Sequence, residues 1–157
     1  MIDRGTVELL EGGSALTIGT VRSDGAPHAS RAWGLDLLAF DPMRVRVLLD
    51  AHDTGTIENL QPGANVAVTA TSVPTFHSVQ LKGTSRGIRA TGDGDAERFA
   101  RYERSFYDDI ETADRTPRHL MERLSPEELV AVELDITEVY DQTPGPGAGQ
   151  ELESGGK

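Results

Sequence analysis

The chain contains no cysteine, so a disulfide framework, a thiolate metal site and a cysteine nucleophile are all excluded. It also lacks any apolar run near the length that spans a bilayer. The first residues, MIDRGTVELLEGG, mix acidic and apolar side chains and hold no cleavable apolar segment. We therefore expect a cytoplasmic protein that does not bind membranes, and the missing thiols fit a reducing cytosol.

Basic residues are scarce: 15 Lys and Arg stand against 26 Asp and Glu, which gives a net charge of −11. A field of that sign repels nucleic acid and anionic lipid, so neither is expected as a partner. A small phosphorylated ligand stays open, because a helix N-terminus and a few local cations override the global field within about 10 Å.

Motifs for two common kinds of chemistry are also missing. The four histidines show no HExxH or similar spacing, so we expect no metal site. No GxSxG segment is present, so the sequence does not support a serine hydrolase.

Strand-forming segments dominate the rest of the sequence. Alternation and turn residues predict six strands, at residues 14–22, 28–40, 44–50, 64–72, 75–91 and 130–137. The second strand contains Gly34, and the first three strands are expected to form a meander.

Helices are predicted at three places. Asp53 or Thr54 can cap a short helix between the third and fourth strands. From Asp95 onward apolar residues recur at helical spacing, which predicts an amphipathic helix after the fifth strand. Short helical turns are expected to follow Thr116-Pro117 and Ser125-Pro126.

Together these elements predict a mainly β fold. We expect a six-stranded antiparallel split β-barrel in a single domain, residues 1–145, because closure removes exposed strand edges. Residues 146–157 are polar and glycine-rich and are predicted to form a disordered tail.

Four segments carry a resemblance to a known family: VRSDGAPHASRAW, LLDAHDTGTIENLQPGANVAVTA, TFHSVQLKGTSRGI and VAVELDITEVYDQTPG. Over most of residues 14–145 the chain resembles the pyridoxamine 5'-phosphate oxidase-like FMN-binding split barrels. The resemblance implies a homodimer with FMN at the subunit interface, its phosphate lying near the start of the short helix. It also implies an FMN-dependent oxidoreductase that acts on an unidentified small substrate.

Five candidate cofactor-binding residues lie in the first half of the chain. Thr54 and Thr56 lie where the free N–H groups of the short helix point and offer hydroxyl donors to a phosphate, although Thr54 alternatively caps its own helix. Ser30, Arg31 and Trp33 lie on the second strand. The period of two places Arg31 and Trp33 on one face. Arg31 either meets a phosphate or is a solvated charge, and Trp33 either meets a flat ring or anchors the core or the dimer interface.

Gln80 and Lys82 share one face of the fifth strand. The resemblance implies that this strand faces the isoalloxazine ring. Gln80 would then hydrogen-bond the polar edge of the ring, and Lys82 would stabilise the negative charge of the reduced ring. Alternatively both belong to a solvated sheet surface, with Lys82 paired to a carboxylate.

A second class of function also stays open. Asp53, and the absence of a lysine from the helix turn, favour a split-barrel binding protein that holds a deazaflavin, a haem or a small metabolite without flavin redox chemistry. Haem would need an axial histidine, for which His77 is the candidate. A dimeric interaction domain without a ligand is the third interpretation.

Overall fold

A computed structural model describes residues 2–152 and folds them around one seven-stranded sheet. The strands are β1 (Ala15–Val21), β2 (Pro27–Arg31), β3 (Leu35–Phe40), β4 (Met43–Asp50), β5 (Asn65–Thr71), β6 (Ser78–Ala90) and β7 (Leu129–Asp141). The helices are α1 (Arg4–Glu11), α2 (Thr54–Asn59), α3 (Asp95–Asp114) and α4 (Arg118–Met121), with a 3₁₀ turn at Glu122–Leu124. All neighbouring strands are antiparallel, in the order β2-β1-β5-β6-β7-β4-β3.

The connection from β2 to β3 joins the two outer strands of the sheet. Ala32 N–H donates to the Leu16 carbonyl of β1 (3.1 Å), whereas Trp33 N–H donates to the Leu48 carbonyl of β4 (2.8 Å). Leu48 N–H in turn donates to the Gly34 carbonyl (2.9 Å). These bonds close the sheet into a barrel, so the expectation of a mainly β, antiparallel barrel is confirmed.

The expected strand count was wrong: residues 2–152 form seven strands, not six. The predicted second strand, residues 28–40, is divided into β2 and β3 because Gly34 adopts φ +147°, which side-chain-bearing L-residues rarely adopt. β2 pairs with β1 and β3 pairs with β4, so the expected meander is also absent. The amphipathic helix accordingly follows the sixth strand rather than the fifth.

Alternation along the strands fills the barrel. In β1 the side chains of Leu16, Ile18 and Thr20 are buried, whereas Thr17 and Gly19 between them lie on the outer face. β5 repeats the pattern. Each fully buried aliphatic side chain contributes about 1.5–3 kcal/mol relative to an exposed one, so the inward register is strongly specified.

Two helical features differ from the sequence prediction. α1 was not predicted; Asp3 caps it by accepting a hydrogen bond from Thr6 N–H (2.7 Å). No helix follows Ser125-Pro126. Instead the Ser125 hydroxyl donates to Glu103 and hydrogen-bonds the Tyr107 hydroxyl (2.7 Å), so this serine ties the segment to α3.

Residues 146–152 turn back along β7. Asp141 N–H donates to the Gln150 carbonyl (2.9 Å), and Leu152 N–H donates to the Val139 carbonyl (2.7 Å). This part of the segment expected to be disordered is therefore hydrogen-bonded, and residues 153–157 lie outside the described residues. Within residues 2–152 no helix combines the length and the apolar character needed to cross a bilayer.

Candidate functional site

The start of α2 carries its own negative charge. Asp53 Oδ1 accepts a hydrogen bond from Thr56 N–H (3.2 Å), and Oδ2 accepts one from the Ser30 hydroxyl of β2. Burial by itself favours the neutral acid, but the hydrogen bonds from Ser30 and Thr56 outweigh it and lower the pKa of Asp53. An ionised carboxylate therefore occupies the place where a bound phosphate would use the helix N-terminus.

His28 lies beside the same helix start. Its Nε2 is 3.2 Å from Thr56 Oγ1, and its Nδ1 is 3.2 Å from Arg22 Nη2. Because a guanidinium only donates, Nδ1 accepts and the ring proton sits on Nε2, which donates to Thr56. The Thr56 side chain is completely buried, and its hydroxyl accepts the hydrogen bond from His28. Thr54, by contrast, is exposed.

The outer face of the sheet carries two rows of aligned side chains. Residues paired across antiparallel strands project to the same face. The first row, from β2 to β7, is Arg31, Thr17, Thr69, Gln80 and Tyr140. The second row is Ala29, Gly19, Ala67, Lys82 and Glu138. The first three members of the second row are small, which leaves open space above them.

A groove with a volume of about 460 Å³ lies over that open space. It is lined by residues 19–21 of β1, 65–67 of β5, 82–84 of β6 and 137–138 of β7. The volume falls in the range of small-molecule and cofactor sites.

Lys82 lines the groove, and Gln80 belongs to the first row, which runs beside it. Lys82 Nζ lies 4.5 Å from the centre of the Tyr140 ring, and no carboxylate within residues 2–152 comes within 4 Å of it. Gln80 Nε2 donates to Thr69 Oγ1 (3.0 Å), which leaves its amide oxygen as an acceptor. Glu138 lies directly opposite Lys82 on β7, as the alternative interpretation of a cross-strand pair allows, but its carboxylate does not come within 4 Å of Nζ and instead accepts a hydrogen bond from the Tyr140 hydroxyl.

A bulge in β7, where Thr137 is the extra residue between Ile136 and Glu138, lies opposite Lys82 and Gly83. The register with β7 shifts between Lys82 and Gly83. A Cβ atom at Gly83 would lie 1.9 Å from the Asp135 carbonyl oxygen, so the close approach of the two backbones requires glycine here.

Arg31 and Trp33 lie at the other end of the first row, under α3. Trp33 is 4% exposed and packs edge-on against Phe99, with ring centres 6.2 Å apart and planes at 69°. The Arg31 guanidinium carbon lies 5.0 Å from the Trp33 ring centre and 4.4 Å from that of Phe106. Trp33 is thus an anchor for α3 and does not reach the groove.

The predicted site residues therefore form three separate groups. Gln80 and Lys82 are at the groove, Arg31 and Trp33 are under α3, and the remaining three are at the start of α2: Ser30, Thr54 and Thr56. The sequence prediction missed His28, whose contact with Thr56 spans 28 residues and leaves no local signal. It also missed Gly19, although the alternation of β1 places that residue outward. In the part of the chain that is described, no group of three His, Cys, Asp or Glu side chains is arranged to hold a metal ion.

Comparison with known proteins identifies the fold. No protein-family profile and no curated protein matches the sequence. Among solved structures, HupZ of Group A Streptococcus superposes with a TM-score of 0.57 at 14% identity, covering 95% of this chain and 100% of that one. An F420 reductase gives 0.55 at 18% identity, covering 88% and 98%.

A third structure comes from Clostridium acetobutylicum: a protein of the pyridoxinephosphate oxidase family related to general stress protein 26. It gives a TM-score of 0.51 at 15% identity, covering 96% of this chain and 97% of that one. At such identities the likeness concerns the fold alone. The chain has a pyridoxamine 5'-phosphate oxidase-like split-barrel fold, as the resemblance of its sequence implied.

Proposed function

We propose that the protein is an oxidoreductase that holds a flavin or deazaflavin ring in the groove lined by β1, β5, β6 and β7. The observation that carries the proposal is Lys82, a half-buried ammonium group on the groove wall that has no carboxylate within 4 Å among residues 2–152; the nearest acid across the strands, Glu138, accepts a hydrogen bond from the Tyr140 hydroxyl. Such a ring supplies hydride or electron transfer when bound, and the protein supplies position and electrostatics. The substrate of this oxidoreductase is a small molecule.

Lys82 favours the reduced state of a ring in this groove. Reduction of a flavin-type ring builds up negative charge, and a cation held nearby stabilises that charge in a site shielded from water. The Tyr140 ring holds the ammonium in place through a cation–π contact. In the first row, next to the row of Lys82, the Gln80 amide oxygen is available to accept a hydrogen bond from a ring N–H.

The phosphate of FMN does not fit the start of α2. The Asp53 carboxylate accepts the Thr56 N–H that would otherwise face the phosphate, and it is ionised at neutral pH because its pKa is lowered. A phosphate placed there would meet a like charge at close range. FMN, with its phosphate outside this position, and a deazaflavin are therefore the two candidate cofactors.

We also propose that a second copy of the chain covers the groove, making the working unit a homodimer. Val21 at the groove edge is 49% exposed, and the small side chains of Ala29, Gly19 and Ala67 allow another surface to approach closely. A second copy over this face would exclude water from the ring. Sedimentation of the purified protein tests this: a monomer at all concentrations would contradict it.

Titration with riboflavin, FMN and an F420-type deazaflavin, followed by ring fluorescence, tests the groove. In Gly19→Leu the new Cβ would lie 3.8 Å from the Ala67 carbonyl oxygen, an ordinary contact, and the side chain would project into the groove. We expect this variant to fold normally and to lose ring binding. Thr17→Leu, on the same strand but in the other row, is the matched control and should still bind. Equal binding by both variants, or no binding of any ring by the wild type, would contradict the proposal.

The reduction potential of the bound ring tests the role of Lys82. If the cation favours the reduced ring tenfold or more, Lys82→Met lowers the midpoint potential by about 30 mV or more. Arg104→Met removes an exposed positive charge from α3 and should leave the potential unchanged. An unaltered potential in Lys82→Met would contradict the proposal that Lys82 stabilises the reduced ring.

A second candidate function is a split-barrel binding protein for a ligand without phosphate, which the carboxylate at the start of α2 favours. Asp53→Asn tests this selectivity, since Asn caps a helix about as well as Asp while removing the charge. If Asp53 selects against phosphate, Asp53→Asn should strengthen FMN binding and leave riboflavin binding unchanged. A parallel change in the affinity for both ligands would contradict this role of Asp53.

A further inference from the structure

Lys82 and Glu138 carry opposite charges and are direct partners across β6 and β7. Side chains in such a pair lie on one face of the sheet with their Cβ atoms about 5 Å apart, so local geometry favours an ion pair between them. The ion pair does not form, because no carboxylate among residues 2–152 comes within 4 Å of Lys82 Nζ. Both charged groups instead contact a third side chain.

That third side chain is Tyr140. Its hydroxyl donates a hydrogen bond to Glu138 Oε2, and the centre of its ring lies 4.5 Å from Lys82 Nζ. Tyr140 and Glu138 are two positions apart on β7 and therefore share the outer face of the sheet. One phenol thus contacts the carboxylate with its polar end and the ammonium with its ring, and the two charges stay apart.

The Tyr140 hydroxyl is a donor at neutral pH. Its hydrogen bond to Glu138 is the main cause that raises the pKa of Tyr140, so the phenol keeps its proton. A hydrogen bond to an ionised acceptor is usually stronger than an ion pair near the surface, which is screened by salt and restricts two long side chains. The phenol therefore competes successfully with Lys82 for the Glu138 carboxylate.

The backbone of Tyr140 is paired on both edges of β7. On one edge Tyr140 is the partner of Gln80 in β6. On the other edge, the returning segment 146–152 places Glu151 opposite Tyr140 in an isolated antiparallel bridge. A residue paired on both edges has little backbone freedom, so the ring and the hydroxyl are held in place relative to Lys82.

We propose that Tyr140 is a positioning residue whose hydroxyl holds Glu138 away from Lys82, so that the ammonium charge acts on the groove rather than on a neighbouring acid. Lys82 and Glu138 both line the groove, whereas Tyr140 acts through them. The redox consequence rests on the proposed ring site, because a carboxylate paired with Lys82 would offset the charge that favours the reduced ring. The arrangement of the three side chains does not itself depend on a bound ring.

Tyr140→Phe isolates the hydroxyl, because it retains a ring against the ammonium. We expect Glu138 to pair with Lys82 in this variant, which a double-mutant cycle of Lys82→Met and Glu138→Gln detects in urea unfolding. In the wild-type background the two substitutions should act independently, within about twofold on the unfolding equilibrium constant. In Tyr140→Phe they should be coupled about threefold more strongly, as in exposed ion pairs. Tyr107→Phe, which removes a phenol hydroxyl of α3, is the control background and should show the wild-type coupling; equal coupling in the Tyr140→Phe and wild-type backgrounds would overturn the proposal.

The midpoint potential of a bound ring is the second readout. Tyr140→Phe should lower it by about 14 mV, which is an about threefold weaker preference for the reduced ring at about 30 mV per tenfold. Adding Glu138→Gln to Tyr140→Phe should restore at least the wild-type potential, a rescue that a merely structural role of the phenol would not give. A potential that stays low in the double variant would overturn the proposal. The urea cycle needs no ring, so a wild type that binds no ring would contradict the proposed function, and the cycle would still decide the role of Tyr140.

Discussion

Removal of the Asp95 carboxylate tests a buried ionic link between the barrel and α3. Asp95 is 4% exposed and receives two hydrogen bonds from Arg46 of β4, from Nε at 3.0 Å and from Nη2 at 2.6 Å. It also accepts a hydrogen bond from Gly92 N–H (2.8 Å), which fixes the turn before the helix. Asp95→Ala therefore breaks a bidentate pair and leaves Arg46 half-buried.

The expected cost is about 3 kcal/mol. Breaking a buried pair by deleting one partner typically costs about 3–5 kcal/mol. Here Glu133 remains 3.5 Å from Arg46 Nη1 and offsets part of the loss, which places the value at the lower end of that range. For a domain of this size the change corresponds to a fall in Tm of about 6–12 °C.

The pH dependence gives the same pair a second signature. The hydrogen bond and charge of Arg46 lower the pKa of Asp95 in the folded protein. A lowered folded pKa contributes stability that is present above the unfolded pKa and lost as the pH falls through the folded value. The difference between wild type and Asp95→Ala should therefore be complete at pH 7 and shrink below about pH 4.

Urea unfolding followed by Trp33 fluorescence is the appropriate assay, because the single tryptophan contacts Phe99 of α3 and so reports the docking of that helix. Asp135→Ala is the matched control. Its carboxylate pairs with two arginines but its side chain is 37% exposed, so its loss should cost about 1 kcal/mol or less. Equal costs for the two variants, or an Asp95→Ala deficit that persists in acid, would refute the reasoning.

Two further substitutions test backbone and core contacts. Gly83→Ala should cost more than about 2 kcal/mol in urea unfolding, because its Cβ would lie 1.9 Å from the Asp135 carbonyl oxygen. Gly19→Ala, the control, makes only an ordinary contact with the Ala67 carbonyl oxygen at 3.8 Å and should stay within about 0.5 kcal/mol of wild type. A small effect at Gly83 would contradict the described bulge. Tyr102→Phe leaves the Ser14 carbonyl without its donor and should cost about 1–3 kcal/mol by the same assay, and no loss would show that this hydrogen bond is dispensable.

The strands were predictable because each has one buried face. The pattern over residues 14–22 and 44–50 places apolar side chains at alternate positions, and the structure forms β1 and β4 there. The division at Gly34 was not predictable. A glycine inside a strand pattern is compatible with a bulge, a bend or a break, and only the hydrogen bonds of its neighbours to two different strands decide between them.

The candidate site was predictable only where it depends on local periodicity. The spacing of two residues correctly places Gln80 with Lys82 on a common face, and the Arg31 guanidinium lies against the Trp33 ring. It does not reveal that α3 covers Trp33. The hydrogen bond from Ser30 to Asp53 joins residues 23 positions apart, so the blocked start of α2 was visible only as an acidic residue beside a helix turn.

The arrangement around Lys82 argues for a ligand that gains negative charge in the groove. Glu138 lies directly opposite Lys82 on β7, yet no carboxylate among residues 2–152 comes within 4 Å of the ammonium. The Glu138 carboxylate instead accepts a hydrogen bond from the Tyr140 hydroxyl, and the Tyr140 ring lies against the ammonium. Because the acid is engaged by the phenol, the charge of Lys82 is left to act on a ring in the groove, which is the role that the potential of Lys82→Met tests.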